Sequence, residues 1–297
     1  MRKILLFLCV GLMLVVLPAA ALAVSYDYVI AFGDSLSDNQ NMPGAPYTDD
    51  DVWVQYLADD LGAELINNAY AGATAAPNYQ FPPSLVAQTF GFVAQSGGLF
   101  WPDALACMYD NALYTVWAGG NDLLGITDPT TASSVIDRAV QSIGLSTAML
   151  AYSGAQDIMV LNMPDFGLIP EFNQPYNPDA TPLDAYLATS LSMAFNQELE
   201  MMLGLLDDVF DINLMYVDVF GLMQQVNADP ASYGVTSIYD LFYAPYQDRI
   251  HPGETGHRLI AELAYSQVAP VPEPSTIVLM GLGLVGLAGF GRRRFKH

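Results

Sequence analysis

The chain has 297 residues, with 31 Asp and Glu against 9 Lys and Arg, a formal net charge of −22, and two cysteines. So acidic a surface repels phosphate backbones and anionic bilayers, which argues against nucleic acid as a partner. Once Cys9 is set aside with the N-terminal segment, Cys107 stands alone, so no intramolecular disulfide is available and packing must hold the fold.

Residues 1–23 have the three parts of a secretory signal peptide in order: Arg2 and Lys3, an apolar run from Ile4 to Leu17, and the small-residue site Ala21-Leu22-Ala23. A buried first helix is the alternative. Residues 24–267 then form one body. Without the basic residues of the two ends it keeps only Arg138, Arg249 and Arg258, against every acid but Glu273. Its first predicted strand, Tyr28–Phe32, runs into Gly33-Asp34-Ser35. Further strands are predicted at Glu64–Asn67, Leu113–Trp117, Ile158–Asn162 and Leu214–Val217, all short and nearly all apolar, as in a parallel sheet covered on both faces. Helices are predicted at Val52–Leu61, Ser84–Gln95, Ala132–Tyr152, Pro182–Val209 and Gly253–Ser266. Thr48 with Asp51 reads as a cap of the first helix. In the fourth helix, Leu183, Tyr186, Leu187, Leu191, Phe195, Leu199 and Met202 fall at helical spacing and are expected in the core. Alternation of this kind predicts an α/β/α layer fold. Cys107, among Ala104, Leu105, Ala106 and Met108, is expected to be buried. Asp49-Asp50-Asp51 lacks a calcium-loop spacing, and His251, His257 and His297 are too few and too scattered for zinc.

Segments that carry chemistry gather after the predicted strands. Ser35 follows the first; Asn68-Ala69-Tyr70-Ala71-Gly72-Ala73-Thr74 follows the second; Trp117-Ala118-Gly119-Gly120-Asn121-Asp122 follows the third. Asp248-Arg249-Ile250-His251-Pro252 precedes the last helix. A serine near the start with a histidine and a carboxylate near the end suits acyl transfer. Ser35 would attack a carbonyl, His251 would take its proton, and Asp248, one turn back, would fix the imidazole tautomer. Each residue also has a plainer reading: Ser35 as a helix cap, Asn121 and Asp122 as turn residues, Asp248 with His251 as a surface pair. Asp34 and Asp38 are read as groups that hold the serine loop, Asp165 as orienting a loop, and His257 as structural. The aromatic residues Tyr70, Tyr79, Phe81, Phe90, Phe92, Phe100 and Trp101 either line an acyl groove or pack beneath a loop.

Over most of 27–266 these blocks resemble the GDSL, or SGNH, hydrolase family. Tyr47-Thr48, Val52-Trp53-Val54-Gln55-Tyr56-Leu57, Leu161-Asn162-Met163-Pro164-Asp165-Phe166-Gly167 and Phe195-Asn196 extend the resemblance. It implies a three-layer α/β/α sandwich with a parallel, flavodoxin-like sheet, and a secreted serine esterase or lipase acting on a lipid or acylated-sugar ester without metal or organic cofactor. It also implies an oxyanion hole made by the backbone N–H groups of Ser35 and Gly72 and the side-chain amide of Asn121. Block one departs from the family at Gln40, where glycine is usual. Acyl transfer to an alcohol and a non-catalytic surface protein on the same fold are the alternative functions. The end of the chain, 268–297, resembles a PEP-CTERM sorting tail of Gram-negative bacteria: Pro272-Glu273-Pro274, an uncharged run from Ser275 to Gly291, then Arg292, Arg293 and Arg294. That implies processing by an exosortase-type enzyme, transient membrane anchoring through a short transmembrane helix, and a cell-surface or matrix location. A plain membrane anchor is the alternative.

Overall fold

A computed structural model describes residues 25–268 apart from Tyr79 and Tyr246. The predicted signal segment and sorting tail lie outside the described residues. Five strands, β1 (Tyr28–Gly33), β2 (Glu64–Asn67), β3 (Ala112–Trp117), β4 (Asp157–Leu161) and β5 (Asn213–Val217), form one parallel sheet in the order β2-β1-β3-β4-β5. This is the flavodoxin-like order, and β1 sits at its switch point with β2 on one side and β3 on the other.

The helices are α1 (Trp53–Leu61), α2 (Leu85–Gln95), α3 (Ala104–Met108), α4 (Gly120–Leu124), α5 (Ala132–Tyr152), α6 (Pro182–Asp207), α7 (Val219–Ala228) and α8 (Glu254–Val268). Phe32 is in register with Val116 and Gly33 with Trp117, so the Phe32 and Trp117 side chains leave opposite faces of the sheet. Phe32 meets Phe92 of α2 edge to face, and Trp117 meets Trp53 of α1 in the same way. Helices therefore cover both faces, which is why β1 and β3 are largely apolar and buried at nearly every position. On the α1 face, α8 lies alongside: buried His257 accepts the Trp53 backbone N–H at its Nδ1 (3.2 Å), and the Arg258 guanidinium stands over the Tyr56 ring. His257 is thus structural, as expected.

The sequence predicts no α3, α4 or α7, but the five predicted strands and five predicted helices start and stop within two residues of their predicted bounds. Local chemistry explains why. Thr181 and Asp184 close a reciprocal capping box at the start of α6, with Pro182 at its first position; Gly62, at φ +67°, ends α1. Three expectations are corrected. Cys107 is exposed, because α3 is a single surface turn that buries only Leu105. Leu183, Tyr186 and Leu187 are exposed, since the first turns of α6 run past the edge of the core that Phe195 and Leu199 fill. Val52, not Thr48, caps α1, and Asp51 instead accepts from the Gln55 amide. Among the described residues no helix is long and apolar enough to cross a membrane.

Candidate active site

Ser35 stands two residues beyond β1, at the C-terminal edge of the sheet. Its Oγ lies 2.8 Å from His251 Nε2, across 216 residues of chain. His251 Nδ1 lies 2.9 Å from both carboxylate oxygens of Asp248. The turn holding this pair is built by Asp248 itself, whose Oδ1 accepts the backbone N–H groups of Ile250 (3.0 Å) and His251 (2.7 Å). Arg249 takes a left-handed conformation (φ +63°) in that turn, and Glu171 ties it down: the Glu171 N–H donates to the Arg249 carbonyl, and its carboxylate lies 3.1 Å from the guanidinium. Burial works to raise the Asp248 carboxyl, but hydrogen bonds from the His251 ring and backbone and the imidazole's positive charge outweigh it. The group is held below the usual carboxylate range. Tyr47 lies flat on the His251 ring, centroids 4.8 Å apart and planes 19° apart.

The serine turn is braced from beneath. Gly33 packs so close to the β3 end that a Cβ there would lie 2.1 Å from the Trp117 carbonyl oxygen. Gln88 of α2 grips Gly33 on both sides, accepting its N–H (2.9 Å) and donating to its carbonyl (2.8 Å). Asp34 Oδ1 accepts from Leu36 N–H, and Asp38 accepts the N–H groups of Gln40, Asn41 and Met42, so both acids hold this loop as expected. The Asp38 carboxylate also takes the Ala71 N–H at 2.7 Å, which fixes the neighbouring Gly72 (φ +79°) beside the serine. Gln40, where the family usually has glycine, is exposed and joins the loop through its backbone N–H.

Asn121 leads α4 into the same space. Its amide donates to the Ala73 carbonyl at 2.9 Å with one of its two hydrogens, and Asn121 lines the cavity at Ser35. Asp122 accepts from the Ala75 and Ala76 N–H groups and locks the block-two loop to α4. Gly119, at φ +112°, leaves room for the Phe195 ring, which a Cβ would meet at 2.6 Å. Ser35, Gly72, Asn121 and His251 thus line one cavity of about 300 Å³. Asp165, also expected to orient a loop, accepts from Gly167 N–H, Thr189 Oγ1 and the Gln224 amide.

None of the described aromatic residues proposed for an acyl groove lines that cavity. Phe92 is in the core, Phe81, Phe90, Phe100 and Trp101 are exposed, and Tyr79 lies outside the described residues. The walls are instead formed by Leu222 and Met223 on α7 and by Leu241, from segments that sequence reasoning left unassigned, by Ile260 on the predicted last helix α8, and by Phe166 and Phe242. The signal for α7 was available in Asp218, which caps it by accepting the Gly221 N–H (2.8 Å). Among the described residues no group of three or more His, Cys, Asp or Glu is placed to hold a metal ion.

The chain is similar to several known proteins. The chain is 26% identical over 174 residues to Lipase 1 of Photorhabdus luminescens, covering 54% of this chain and 26% of that one. It is 26% identical to an acetylesterase of Thermothelomyces thermophilus (82% of this chain, 89% of that one) and 24% to a phosphatidylcholine-sterol acyltransferase of Aeromonas hydrophila (80% and 72%). The chain spans only about a quarter of the Photorhabdus lipase and 53% of a similar uncharacterized Pseudomonas putida protein. Its fold matches a lipolytic G-D-S-L protein of Veillonella parvula with a TM-score of 0.50 at 15% identity, over 80% of this chain and 96% of that one. A PEP-CTERM protein-sorting motif matches residues 270–294. The GDSL-like lipase/acylhydrolase model matches residues 29–264, and the chain belongs to that family.

Proposed function

We propose that the chain is an exported carboxylic ester hydrolase that works through an acyl-enzyme on Ser35. The single observation that carries this reading is the 2.8 Å contact between Ser35 Oγ and His251 Nε2, with Asp248 on the far side of the ring. In the first half-reaction Ser35 Oγ bonds to the ester carbonyl carbon while its proton passes to His251 Nε2. The carbonyl oxygen becomes an oxyanion held by the N–H groups of Ser35 and Gly72 and the second amide hydrogen of Asn121. The C–O bond to the alcohol then breaks, and His251 returns the proton to the leaving oxygen. Water repeats the sequence on the acyl-serine, again giving its proton to His251, and the carboxylic acid leaves. Asp248 stays ionised throughout and holds Nδ1–H, which favours the imidazolium formed at each step.

In this reading residues 1–23 are a signal peptide, 24–267 the hydrolase domain and 268–297 a sorting tail processed by an exosortase-type enzyme at the cell surface. A second reading, transfer of the acyl group to an acceptor alcohol, draws on the similarity to the Aeromonas acyltransferase. A fluorophosphonate probe is expected to label the purified protein at Ser35, and Ser35→Ala to lose both labelling and p-nitrophenyl butyrate turnover. Folded wild-type protein that neither labels nor turns over ester would refute the enzyme reading. Product analysis with glycerol or a sterol present separates hydrolysis from transfer.

A further inference from the structure

Resting on that esterase reading, we propose that the site is built for a linear acyl chain of roughly six to ten carbons, laid against α7 and α8, and selects against acetyl esters. The first ground is charge. The chain carries 31 acids, yet among the described residues Asp34 is the only acid lining the cavity at Ser35. Asp34 is buried, and burial raises its carboxyl to about 7, so even that acid is largely neutral in mildly acidic solution. Tyr47 and His251 are the only other titratable lining residues. A polar acyl group would find almost nothing to bond on these walls.

The second ground is direction. The oxyanion donors Gly72 and Asn121 follow β2 and β3, the two strands that flank β1 and Ser35. The apolar walls lie farther along the edge, beyond β3: Phe166 and Ile169 after β4, Leu222 and Met223 after β5, with Ile260 from α8. A carbonyl oxygen held by the donors therefore sends its acyl tail along the C-terminal edge of the sheet toward β5. The third ground is size. A cavity of about 300 Å³ holds about ten groups at roughly 30 Å³ each, whereas an acetyl group supplies two carbons. Each methylene that leaves water for such a wall raises kcat/KM about fourfold until the cavity is full.

The test is kcat/KM for p-nitrophenyl esters from acetate to palmitate, with wild type, Met223→Trp and Met223→Ala, beside calorimetric binding of octanoic acid and of acetic acid to Ser35→Ala. The wild type is expected to favour octanoate over acetate by roughly 100-fold or more, a ratio that needs only about three to four of the six added methylenes to be buried at the same fourfold step. Met223→Trp is expected to collapse that ratio by tenfold or more, and Met223→Ala to move the optimum to longer chains. Ser35→Ala is expected to bind octanoic acid, not acetic acid. Turnover that is best with acetate, or level across the series, would overturn the chain-length proposal and leave the esterase reading intact. Octanoic acid bound without turnover of any ester would do the reverse. No turnover and no octanoic acid binding would sink both.

Discussion

Asp34 is buried, 2% exposed, immediately before Ser35. Burial raises its carboxyl from 3.8 to about 7; the Leu36 N–H and the His251 imidazole oppose that rise, and Asp122 adds to it. The native protein thus holds a proton that the unfolded chain releases near pH 4. Between roughly pH 4 and pH 7 the native state binds more protons than the unfolded state, so this residue's contribution to stability is full below pH 4 and is lost as pH rises through 7. Asp34→Asn replaces the protonated acid by its neutral isostere, whose carbonyl oxygen can still accept from Leu36, and removes the titration. At about 1.4 kcal/mol per pH unit, the stability of Asp34→Asn relative to wild type should climb by about 2–3 kcal/mol from pH 5 to pH 8. Urea unfolding of both proteins at several pH values measures that difference curve, with unchanged m-values as the check that only stability moved. A difference that stays level across this range would mean that the folded environment does not hold Asp34 protonated, and the argument from burial would fail.

Gln88→Ala should cost about 1–3 kcal/mol, because it strands the buried Gly33 N–H while the Gly33 carbonyl keeps the Tyr70 N–H; a urea midpoint equal to wild type would contradict this. Tyr47→Ala should lower kcat/KM on p-nitrophenyl butyrate about 2- to 30-fold, the worth of an aromatic face to a cation of about 0.5–2 kcal/mol, by freeing the ring that Tyr47 covers. Tyr47→Phe keeps that face and should stay near wild type, so equal losses in both would point to the hydroxyl instead. His257 titrates in the opposite sense to Asp34. Burial lowers it from 6.5 to about 3, so the unfolded chain binds the extra proton and stability falls as pH drops below 6.5. His257→Gln should therefore hold its stability better than wild type between pH 6.5 and pH 5, by about 2 kcal/mol at 1.4 kcal/mol per unit. Parallel stability curves over that range would show that the imidazole is not held neutral.

The fold was legible where one physical requirement governs several consecutive residues. A strand covered on both faces must be almost wholly apolar, and Val29, Ile30, Ala31 and Phe32 in β1 and Ile158, Met159, Val160 and Leu161 in β4 meet that requirement in continuous runs. A capping box fixes the first turn of α6 at Thr181 whatever packs beyond it. Periodicity could not tell how far a helix outruns its partner. Leu183 and Leu187 keep the helical spacing of core residues and stand in solvent, because spacing says which residues share a face and nothing about what that face meets. Cys107 failed in the same way: apolar neighbours in sequence are not neighbours in space when the helix that carries them is one turn long.

The site divides along a similar line. Ser35, Gly72, Asn121, Asp248 and His251 were readable because each follows or precedes a strand or helix whose direction the chain declares, and a parallel sheet delivers all its C-terminal ends to one edge. The supports were not readable. Gln88 reaching back 55 residues to Gly33, or Tyr47 lying on His251, depends on where a loop returns, and no local pattern records that. The acyl wall was missed for a further reason. Chemistry that needs polarity demands particular residue types, so a serine, histidine and aspartate announce themselves; a surface that needs only to exclude water accepts any aliphatic side chain. Leu222, Met223 and Ile260 look like every other core residue until the fold leaves a cavity beside them. Substrate choice in such an enzyme is therefore written in the packing of α7 and α8, while the reaction it performs is written in the loops at the edge of the sheet.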